Sequence, residues 1–376
     1  MRFKIDEIDL YHIKIPMVEK FRISNGEVSV KDSIIVVVRF SDGVTGYGEA
    51  SPMAGSFYSS ETPESVWNEL MNCDRLLGRD FDFENFESEI EKLNFQLSSQ
   101  GLSSFARAGI ETALWDAFSK VRGQPIYKLI LAEYREIESG LAVGIYDDVN
   151  ELLYKIEQFL KEGGYKRVKI KIKKGWDIEP LYEIRKNFGD IPLMVDANCA
   201  YTRDDIEHLK KLDEFGLIMI EQPFEKNDIQ SSAILQREIS TPICFDESAD
   251  KIENLEVAFK SGACRVVNIK IQRVGGILNA KRMHDFCKIN NIPVWIGTMP
   301  ELGIGSLHGV NLCMLDDCKF PTDIEASSRW YFDDIVEPLI TVKDGVLEIG
   351  QDFKFDVNMK KIEKYSIRKI KIRPGN

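Results

Sequence analysis

The chain from about residue 139 to residue 298 consists of short apolar segments that alternate with amphipathic stretches. Each pair of apolar segments is separated by enough residues for one helix, as in DDIEHLKKLDEFG. Repeated strand–helix units of this kind require a parallel sheet with right-handed crossovers. Because seven strands follow one another at near-constant spacing, we predict that the sheet closes into a barrel. The predicted strands are LAVGIY, RVKIKI, PLMVDAN, GLIMIEQP, PICFDES, RVVNIKI and PVWIGT.

The residues on either side of this region follow different patterns. DSIIVVVRF and VTGYGEA are predicted to be strands joined by a turn at SDG, so the first 60 residues should form antiparallel sheet. From about residue 63 to residue 131 the apolar spacing becomes helical, and Gly123 ends the longest predicted helix. After Tyr331 the rhythm is lost, and SIRKIKIRPGN is predicted to return to the N-terminal unit. We predict an α+β unit at 1–130, a barrel at 131–330 and a returning segment at 331–376.

Composition excludes several classes of partner. The chain has 376 residues and a formal net charge of -12, with basic residues interspersed among acidic ones, so no basic surface for nucleic acid is predicted. Its seven cysteines form no CxxC pair, which argues against a disulfide framework or a zinc ribbon and favours a reducing compartment. Apolar runs fall short of the roughly 20 residues that span a bilayer, and the charged N-terminus is unlike a signal peptide. We expect a cytoplasmic protein without nucleic-acid or membrane partners.

Four polar residues follow successive predicted strands. Asp196, Glu221, Asp246 and Lys270 are separated by intervals of 25, 25 and 24 residues, which is one strand–helix repeat each time. Equal spacing should bring them to the same height at the C-terminal mouth of the barrel, where barrel enzymes hold their active sites. An acidic residue at a strand end can instead cap the next helix, but caps do not need a common height.

Three neighbouring carboxylates repel one another strongly unless a cation lies among them. A set of oxygen ligands suits a hard ion, so we expect Mg²⁺ rather than zinc, with Mn²⁺ as a possible substitute. The sequence therefore predicts a divalent-cation site formed by Asp196, Glu221 and Asp246.

The stretch VKIKIKKGWD, at 168–177, places a row of lysines on one face of a strand. In isolation it is typical of an edge strand that exposes its lysines to solvent. Its position before the Asp196 strand instead predicts that Lys171 and Lys270 flank the cation. A lysine next to another cation releases its proton more readily, as a general base requires, and Lys169 can supply that charge. Lys173 should lie past the strand end, and a salt bridge with one of the acids is the alternative role for Lys270.

A base, an opposed cationic group and a divalent ion together suit removal of a proton α to a carboxylate. The motifs KIK, VDAN, EQP, DES and NIK, in this order, resemble those of the muconate-lactonizing-enzyme subgroup of the enolase superfamily. The resemblance covers essentially the whole chain. It implies a modified (β/α)7β TIM-type barrel of the α/β class, covered by an N-terminal α+β capping domain. It also implies Mg²⁺ on the three acids, Lys171 as the base and Lys270 as the opposed lysine.

Further site residues follow from the same resemblance. Asn198 and Glu247 match positions that support the metal and Lys270. The loop around residue 22 and the segment 52–58 resemble capping loops that close over a substrate, although a plain surface loop is the alternative for each residue. Departures from the family pattern at Ala142 and Leu302 fall where a substrate side chain would lie. The predicted substrate contacts are Phe21, Arg22, Ser24, Tyr58, Thr298, Met299 and Pro300.

Within this subgroup the chain is most similar to o-succinylbenzoate synthases, which dehydrate a cyclohexadiene carboxylate in menaquinone biosynthesis. N-succinylamino acid racemases are the first alternative, ahead of muconate cycloisomerases and dipeptide epimerases, because all of them use the same lysines and metal. We expect a small-molecule carboxylate substrate and a homo-oligomer. A Schiff-base aldolase would use a barrel lysine without the three acids, and a non-catalytic barrel would need neither.

Overall fold

A computed structural model describes residues 2–55 and 58–374 of the chain. Its N-terminal part is an antiparallel sheet covered by helices, as predicted. The turn at SDG forms with Gly43 at φ 88°, and Gly123 ends the longest helix in the left-handed conformation. The strands are β1 (Arg2–Ile23), β2 (Gly26–Phe40), β3 (Thr45–Ala50) and β4 (Asp80–Asp82), and the helices are α1 (Pro63–Leu70), α2 (Phe86–Ser99), α3 (Ser104–Arg122) and α4 (Ile126–Leu129).

The prediction of a loop around residue 22 is wrong. Phe21 and Arg22 belong to β1, which pairs with β2 as far as Ile23 and Gly26, and Ser24 lies in the turn between the strands. Side chains alternate here, with Phe21 and Ile23 buried and Arg22 turned outward, and Asn25 with Gly26 favours a tight hairpin. The tip of this hairpin rests on the barrel, where the carbonyl of Arg22 accepts a hydrogen bond from the N–H of Ile145 at 2.8 Å.

All seven predicted barrel strands are present and lie side by side in chain order in one parallel sheet. They are β5 (Leu141–Val143), β6 (Val168–Lys171), β7 (Leu193–Asp196), β8 (Ile220–Glu221), β9 (Ile243–Phe245), β10 (Val266–Ile269) and β11 (Val294–Ile296). The helices of this part are α5 (Val149–Gly163), α6 (Ile178–Phe188), α7 (Ile206–Leu209), α8 (Ile229–Glu238), α9 (Ile252–Ser261), α10 (Ile271–Val274), α11 (Ile277–Ile289) and α12 (Gly303–Cys313).

The segment after α12 closes the ring between β11 and β5. Cys318 forms a parallel bridge with Val294 on one side, and Thr322 forms another with Ser139 on the other side. This segment takes the place of an eighth strand, which confirms the predicted barrel. The interior below the mouth is filled by a small apolar cluster that includes Trp295.

The C-terminal residues return to the N-terminal sheet. The last strand, β16 (Ser366–Ile372), pairs antiparallel with β1 and extends the order of the sheet to β16-β1-β2-β3, with β4 on the other part of β1. The elements are α13 (Ser327–Trp330), β12 (Val336–Glu337), β13 (Val342–Lys343), β14 (Val346–Leu347), β15 (Asp356–Val357), α14 (Met359–Tyr365) and β16 (Ser366–Ile372). Within 2–55 and 58–374, no helix is both long and apolar enough to cross a membrane.

Strand β3 lies unusually close to helix α3 because glycines face the helix. A Cβ atom on Gly48 would lie 2.1 Å from the carbonyl oxygen of Gly109, and one on Gly46 would lie 1.9 Å from that of Ala113. Both neighbours are backbone atoms, which cannot move aside without shifting the helix. This close packing holds the end of β3 in position, and β3 leads into the segment over the barrel mouth.

We predict that Gly48→Ala lowers the free energy of unfolding by at least about 1–3 kcal/mol, because the added methyl group overpacks the contact between strand and helix. Chemical denaturation of purified protein measures this. Gly350→Ala is the matched control, since a Cβ there meets no heavy atom within 4 Å and should change stability by no more than about 0.5 kcal/mol. Equal stability of the two variants would contradict this account of the packing.

Candidate active site

The lysine-bearing strand β6 is not at an edge, because it pairs with β5 on one side and β7 on the other. The side chains of Lys169 and Lys171 point into the barrel, and the two residues are only 2% and 8% exposed. A solvated lysine face is therefore the wrong explanation for this stretch. Lys173 lies past the end of the strand, as predicted.

Strand register brings the predicted site residues together. Lys171 is paired directly with Asp196, and Asp196 with Glu221. Glu221 is paired with Cys244, so Asp246 lies two residues further along its strand. Strands in a barrel tilt and stagger, and such a step keeps successive side chains near one height along the barrel axis.

The three acids form a compact and fully buried group. Asp196, Glu221 and Asp246 can each direct one carboxylate oxygen so that all three oxygens lie within 4.8 Å of one another. Burial, and after it the charge of Asp196, raises the pKa of Glu221 to about 7. A cation among the three oxygens would favour the ionised form, so this donor set fits a divalent metal ion.

Lysines on strand β6 and at the end of strand β10 contact these acids. Lys169 Nζ lies 2.6 Å from Glu221 Oε2 and 3.1 Å from Asp196 Oδ2, and Lys171 Nζ donates to Asp196 Oδ2 at 2.5 Å. On the other side, Lys270 Nζ donates to Asp246 Oδ2 at 2.7 Å. The two proposed catalytic lysines thus approach the group through different acids.

Charge balance in this interior sets the pKa values. Burial disfavours the charged lysines, but the carboxylates outweigh it and raise the pKa of Lys169 and that of Lys270 above the ordinary value. Burial likewise disfavours the charged acids, yet Lys171 and Lys169 leave the pKa of Asp196 below its usual range. Lys270, followed by Arg273, does the same for Asp246.

Two of the surrounding charged residues were missed by the sequence analysis. The guanidinium of Arg273 contacts the second oxygen of Asp246 and donates to the carbonyl of Asn268. Asp323 accepts from Lys169 at 3.0 Å and from Arg167 at 2.7 Å. Arg273 could have been found, since it lies one helical turn after Lys270. Asp323 follows the irregular closing segment, whose sequence lacks the periodicity of a strand.

The residues predicted to support the site also lie next to it. Asn198 donates from its side chain to Glu247 Oε1 at 3.1 Å and from its backbone N–H to Asp196 Oδ1 at 3.0 Å. It adopts a φ of 43°, in the left-handed region that Asn tolerates better than most residues. Burial, and then the charges of Asp246 and Asp196, raise the pKa of Glu247 to about 8.

Of the predicted substrate contacts in the N-terminal unit, Phe21 and Tyr58 lie at the site. Lys171 Nζ lies 5.9 Å from the centre of the Phe21 ring. The hydroxyl of Tyr58 donates to Asp246 Oδ1 at 3.1 Å, and its ring lies 4.8 Å from Lys270 Nζ. Ser24 is further out, with its hydroxyl 3.4 Å from the carbonyl of Asn198.

Arg22 turns away from the site and binds Asp147 at 2.6 Å on the surface, so the structure does not bring it to the lysines. Two residues of the predicted segment 52–58, at positions 56 and 57, lie outside the described residues.

The segment after β11 contains the remaining predicted contacts. Met299 is buried, Thr298 lies next to the carbonyl of Asp323, and the carbonyl of Pro300 accepts from the hydroxyl of Tyr331. Their contact with a substrate stays a prediction.

A cavity of about 840 Å³ opens beside the site, and its lining includes Tyr58, Glu247 and Arg273. Two of these lining residues, Tyr58 and Arg273, also contact Asp246.

Comparison with protein families identifies this arrangement. The family model described as "Mandelate racemase / muconate lactonizing enzyme, N-terminal domain" matches residues 8–130, and "Enolase C-terminal domain-like" matches residues 151–352. The chain belongs to the mandelate racemase and muconate lactonizing enzyme family. This confirms the resemblance to the enolase superfamily that the sequence motifs indicated.

Individual relatives of this enolase-superfamily chain are similar over nearly their full length. An o-succinylbenzoate synthase from Geobacillus kaustophilus is 37% identical and covers 97% of each chain. An N-succinylamino acid racemase from Amycolatopsis sp is 37% identical and covers 90% of each chain. The crystal structure of an enolase-superfamily member from Listeria innocua Clip11262 is 33% identical, with a TM-score of 0.89 and 99% of both chains covered. The protein is therefore an enzyme whose relatives are lyases and racemases.

In this family barrel, Asp323 offers a test of interior charge balance. Asp323→Asn should lower the free energy of unfolding by about 3–5 kcal/mol, because it leaves the buried charge of Arg167 without its acidic partner and removes one of the three acids that contact Lys169. Chemical denaturation followed by tryptophan fluorescence measures the loss.

The matched control is Asp250→Asn. It breaks the partly exposed ion pair between Asp250 and Lys226, whose N–O distance of 2.8 Å is similar to the distances in the buried pairs. Exposed pairs contribute about 0–1 kcal/mol, so this variant should remain close to the parent. Equal losses in the two variants would show that Asp323 does not balance buried charge.

Proposed function

We propose that the protein is a Mg²⁺-dependent o-succinylbenzoate synthase. Its reaction would be the dehydration of 2-succinyl-6-hydroxy-2,4-cyclohexadiene-1-carboxylate, a step of menaquinone biosynthesis. The observation that carries the proposal is the direct pairing of Lys171 with the first acid of a buried carboxylate group that Lys270 contacts from the other side. The similarity to synthases over nearly the whole chain supports this substrate.

In the proposed reaction, Lys171 acts as the general base. Its amine, when neutral, takes the proton from the carbon α to the substrate carboxylate, and the electron pair left on that carbon expels the hydroxyl group from the β carbon. The proton and the hydroxyl together make up the water that is lost. Phe21, whose ring lies close to Lys171 Nζ, would keep water away from this amine.

Lys270 is proposed to stabilise the negative charge that develops on the substrate carboxylate. Its ammonium is held by Asp246 and lies over the ring of Tyr58, so it is fixed before the substrate arrives. A preorganised cation in a buried site stabilises developing charge more than it would in water. The raised pKa of Lys270 keeps this group charged for that task.

Asp196, Glu221 and Asp246 are proposed to hold Mg²⁺, for which Mn²⁺ could substitute. A divalent ion bound there would supply positive charge next to the carboxylate of the substrate. The donor set supports this choice, because it offers oxygen atoms only and Mg²⁺ prefers such ligands. Asn198 and Glu247 would help to orient these acids.

A racemase activity is the second candidate. Two lysines approach the acidic group through Asp196 and through Asp246, which is the arrangement needed to remove a proton from one face and return it to the other. The similarity to an N-succinylamino acid racemase supports this alternative equally well. The same protein can therefore be tested for both reactions.

The remaining predictions belong to this proposal. The capping domain would comprise residues 1–130, the barrel 131–330 and the returning segment 331–376. Substrate contacts would come from Phe21, Ser24 and Tyr58 on one side and from 298–300 on the other. A small carboxylate as substrate, a cytoplasmic location and a homo-oligomeric state remain proposals.

We predict that purified protein converts the cyclohexadiene carboxylate, and that Lys171→Met lowers kcat by about 10²-fold or more because the base is lost. The loss of substrate absorbance measures the rate, and N-succinyl amino acids are assayed in parallel by optical rotation. Lys173→Met removes a lysine from the same stretch but past the strand end, and should retain activity. No turnover of the cyclohexadiene carboxylate by the parent protein would refute the proposed synthase.

A second prediction concerns the metal. Dialysis against EDTA should abolish turnover, and added Mg²⁺ or Mn²⁺ should restore it. Without a cation, the three buried carboxylates would repel the carboxylate of the substrate. Activity that survives EDTA but is lost to borohydride trapping would instead support a Schiff-base aldolase.

A further inference from the structure

A second group of buried charges lies outside the metal centre, where the N-terminal sheet meets the segment after β11. Lys31 and Glu49 come from the sheet, and Glu301 comes from the barrel. The three residues are 6%, 0% and 7% exposed. None of the three has a part in the reaction described above, so the group needs a separate explanation.

Glu49 connects the two parts of the chain through its carboxylate. Oε1 accepts from the hydroxyl of Ser33 at 2.8 Å and from the N–H of Leu302 at 3.0 Å, and Oε2 accepts from the N–H of Gly305 at 3.0 Å. Leu302 and Gly305 lie at the start of α12, whose first N–H groups have no partners within the helix. A carboxylate at the end of β3 therefore caps a barrel helix.

The contact is tight because Gly305 has no side chain. A Cβ at this position would lie 3.0 Å from Glu49 Oε2 and 2.6 Å from Cγ of Glu301. Glu301 in turn accepts from the N–H of Met299 at 3.1 Å. The backbone from 299 to 305 is thus fixed by two buried carboxylates.

The backbone beside Glu49 is held from another direction. The side chain of Gln272 donates to the carbonyl of Glu49 at 2.8 Å and accepts from the N–H of Ser51 at 3.0 Å. Gln272 lies in helix α10, two residues after Lys270, so the end of β3 is joined to the helix that directly follows the opposed lysine. Glu49 is therefore a fixed point from which the segment after β11 is positioned.

Lys31 is the basic side chain of this group. Its Nζ donates to the hydroxyl of Ser51. Burial lowers the pKa of Lys31 below its ordinary value, although the charges of Glu49 and then Glu301 act in the opposite direction. A small cavity has Lys31, Met299 and Pro300 in its walls, which places the lysine next to the predicted substrate contacts.

We propose that Glu49 is a positioning residue that sets substrate preference by fixing the segment with Met299 and Pro300 at the barrel mouth. This inference rests on the proposed function, because it takes these two residues to line the substrate site. Small displacements of such a segment change how substrates with different side chains fit, without altering the lysines or the acids.

Glu49→Gln tests the proposal, since the amide keeps the shape of the side chain but turns one acceptor into a donor facing a backbone N–H. We expect faster hydrogen–deuterium exchange in residues 299–305. We also expect an approximately tenfold change in the ratio of kcat/KM for the cyclohexadiene carboxylate to that for an N-succinyl amino acid, mainly through KM.

Asp116→Asn is the matched control. Asp116 is a buried carboxylate on helix α3 that pairs with Lys120 at 2.7 Å. It accepts from the N–H of Tyr47 on strand β3 at 2.8 Å, so its contacts stay within the N-terminal unit. It should lower thermal stability without affecting exchange at 299–305 or the ratio of kcat/KM. If Glu49→Gln behaves in the same way as this control, the proposal is wrong.

Two outcomes separate this inference from the proposed function. If the parent protein converts neither substrate, the proposed function fails, and the exchange rates of residues 299–305 still test the positioning role of Glu49. If Glu49→Gln does not fold, Glu49→Asp replaces it, because it keeps the carboxylate but shortens the side chain by one methylene group and so weakens the contacts to Leu302 and Gly305. Unchanged exchange at 299–305 in that variant would overturn the proposal.

Discussion

Mutual repulsion of three carboxylates, buried with oxygens within 4.8 Å of one another, is the constraint around which the barrel interior is arranged. Lys169 lies between two of these acids, and Lys270 contacts the third. Asp323 then balances Lys169 and the buried Arg167. Each buried charge requires an opposite charge beside it, so a series of ion pairs extends from the mouth of the barrel into its interior. A divalent cation would complete this balance on the side that faces the substrate.

The barrel and the three acids could be predicted because both follow from the repeat length. Strand–helix units of 24 or 25 residues return the chain to the same end of the sheet, so polar residues at those intervals must meet there. The short apolar segments predicted the strands, and the acidic residues at the ends of three of them predicted Asp196, Glu221 and Asp246 as site residues. The stagger between neighbouring strands was not predicted, because it depends on the tilt of the whole barrel and not on any one segment.

Other features could not be read from local patterns. The sequence of strand VKIKI does not show whether its lysines face solvent or the barrel interior. The lysines face the interior because the strand has a neighbour on each side. Asp323 follows a closing segment without regular strand pairing, so no periodicity marks it. Phe21 and Arg22 were expected in a loop, but they belong to the hairpin of β1 and β2. The pairing of these strands shifts register after Pro16 and resumes at Phe21, which the local sequence does not indicate. Contacts such as that of Glu49 with α12 join residues more than 250 positions apart, as between Glu49 and Leu302.

The central claim is that the three buried carboxylates form one divalent-cation site. Calorimetric titration of Mg²⁺ into EDTA-treated protein tests it most directly, with Asp246→Asn as the variant and Asp250→Asn as the control. The account predicts binding of one ion per chain, weakened in Asp246→Asn by more than the roughly 10–100-fold that loss of an outer partner costs, and unchanged in Asp250→Asn. Equal Mg²⁺ affinity in the parent protein and in Asp246→Asn would contradict it.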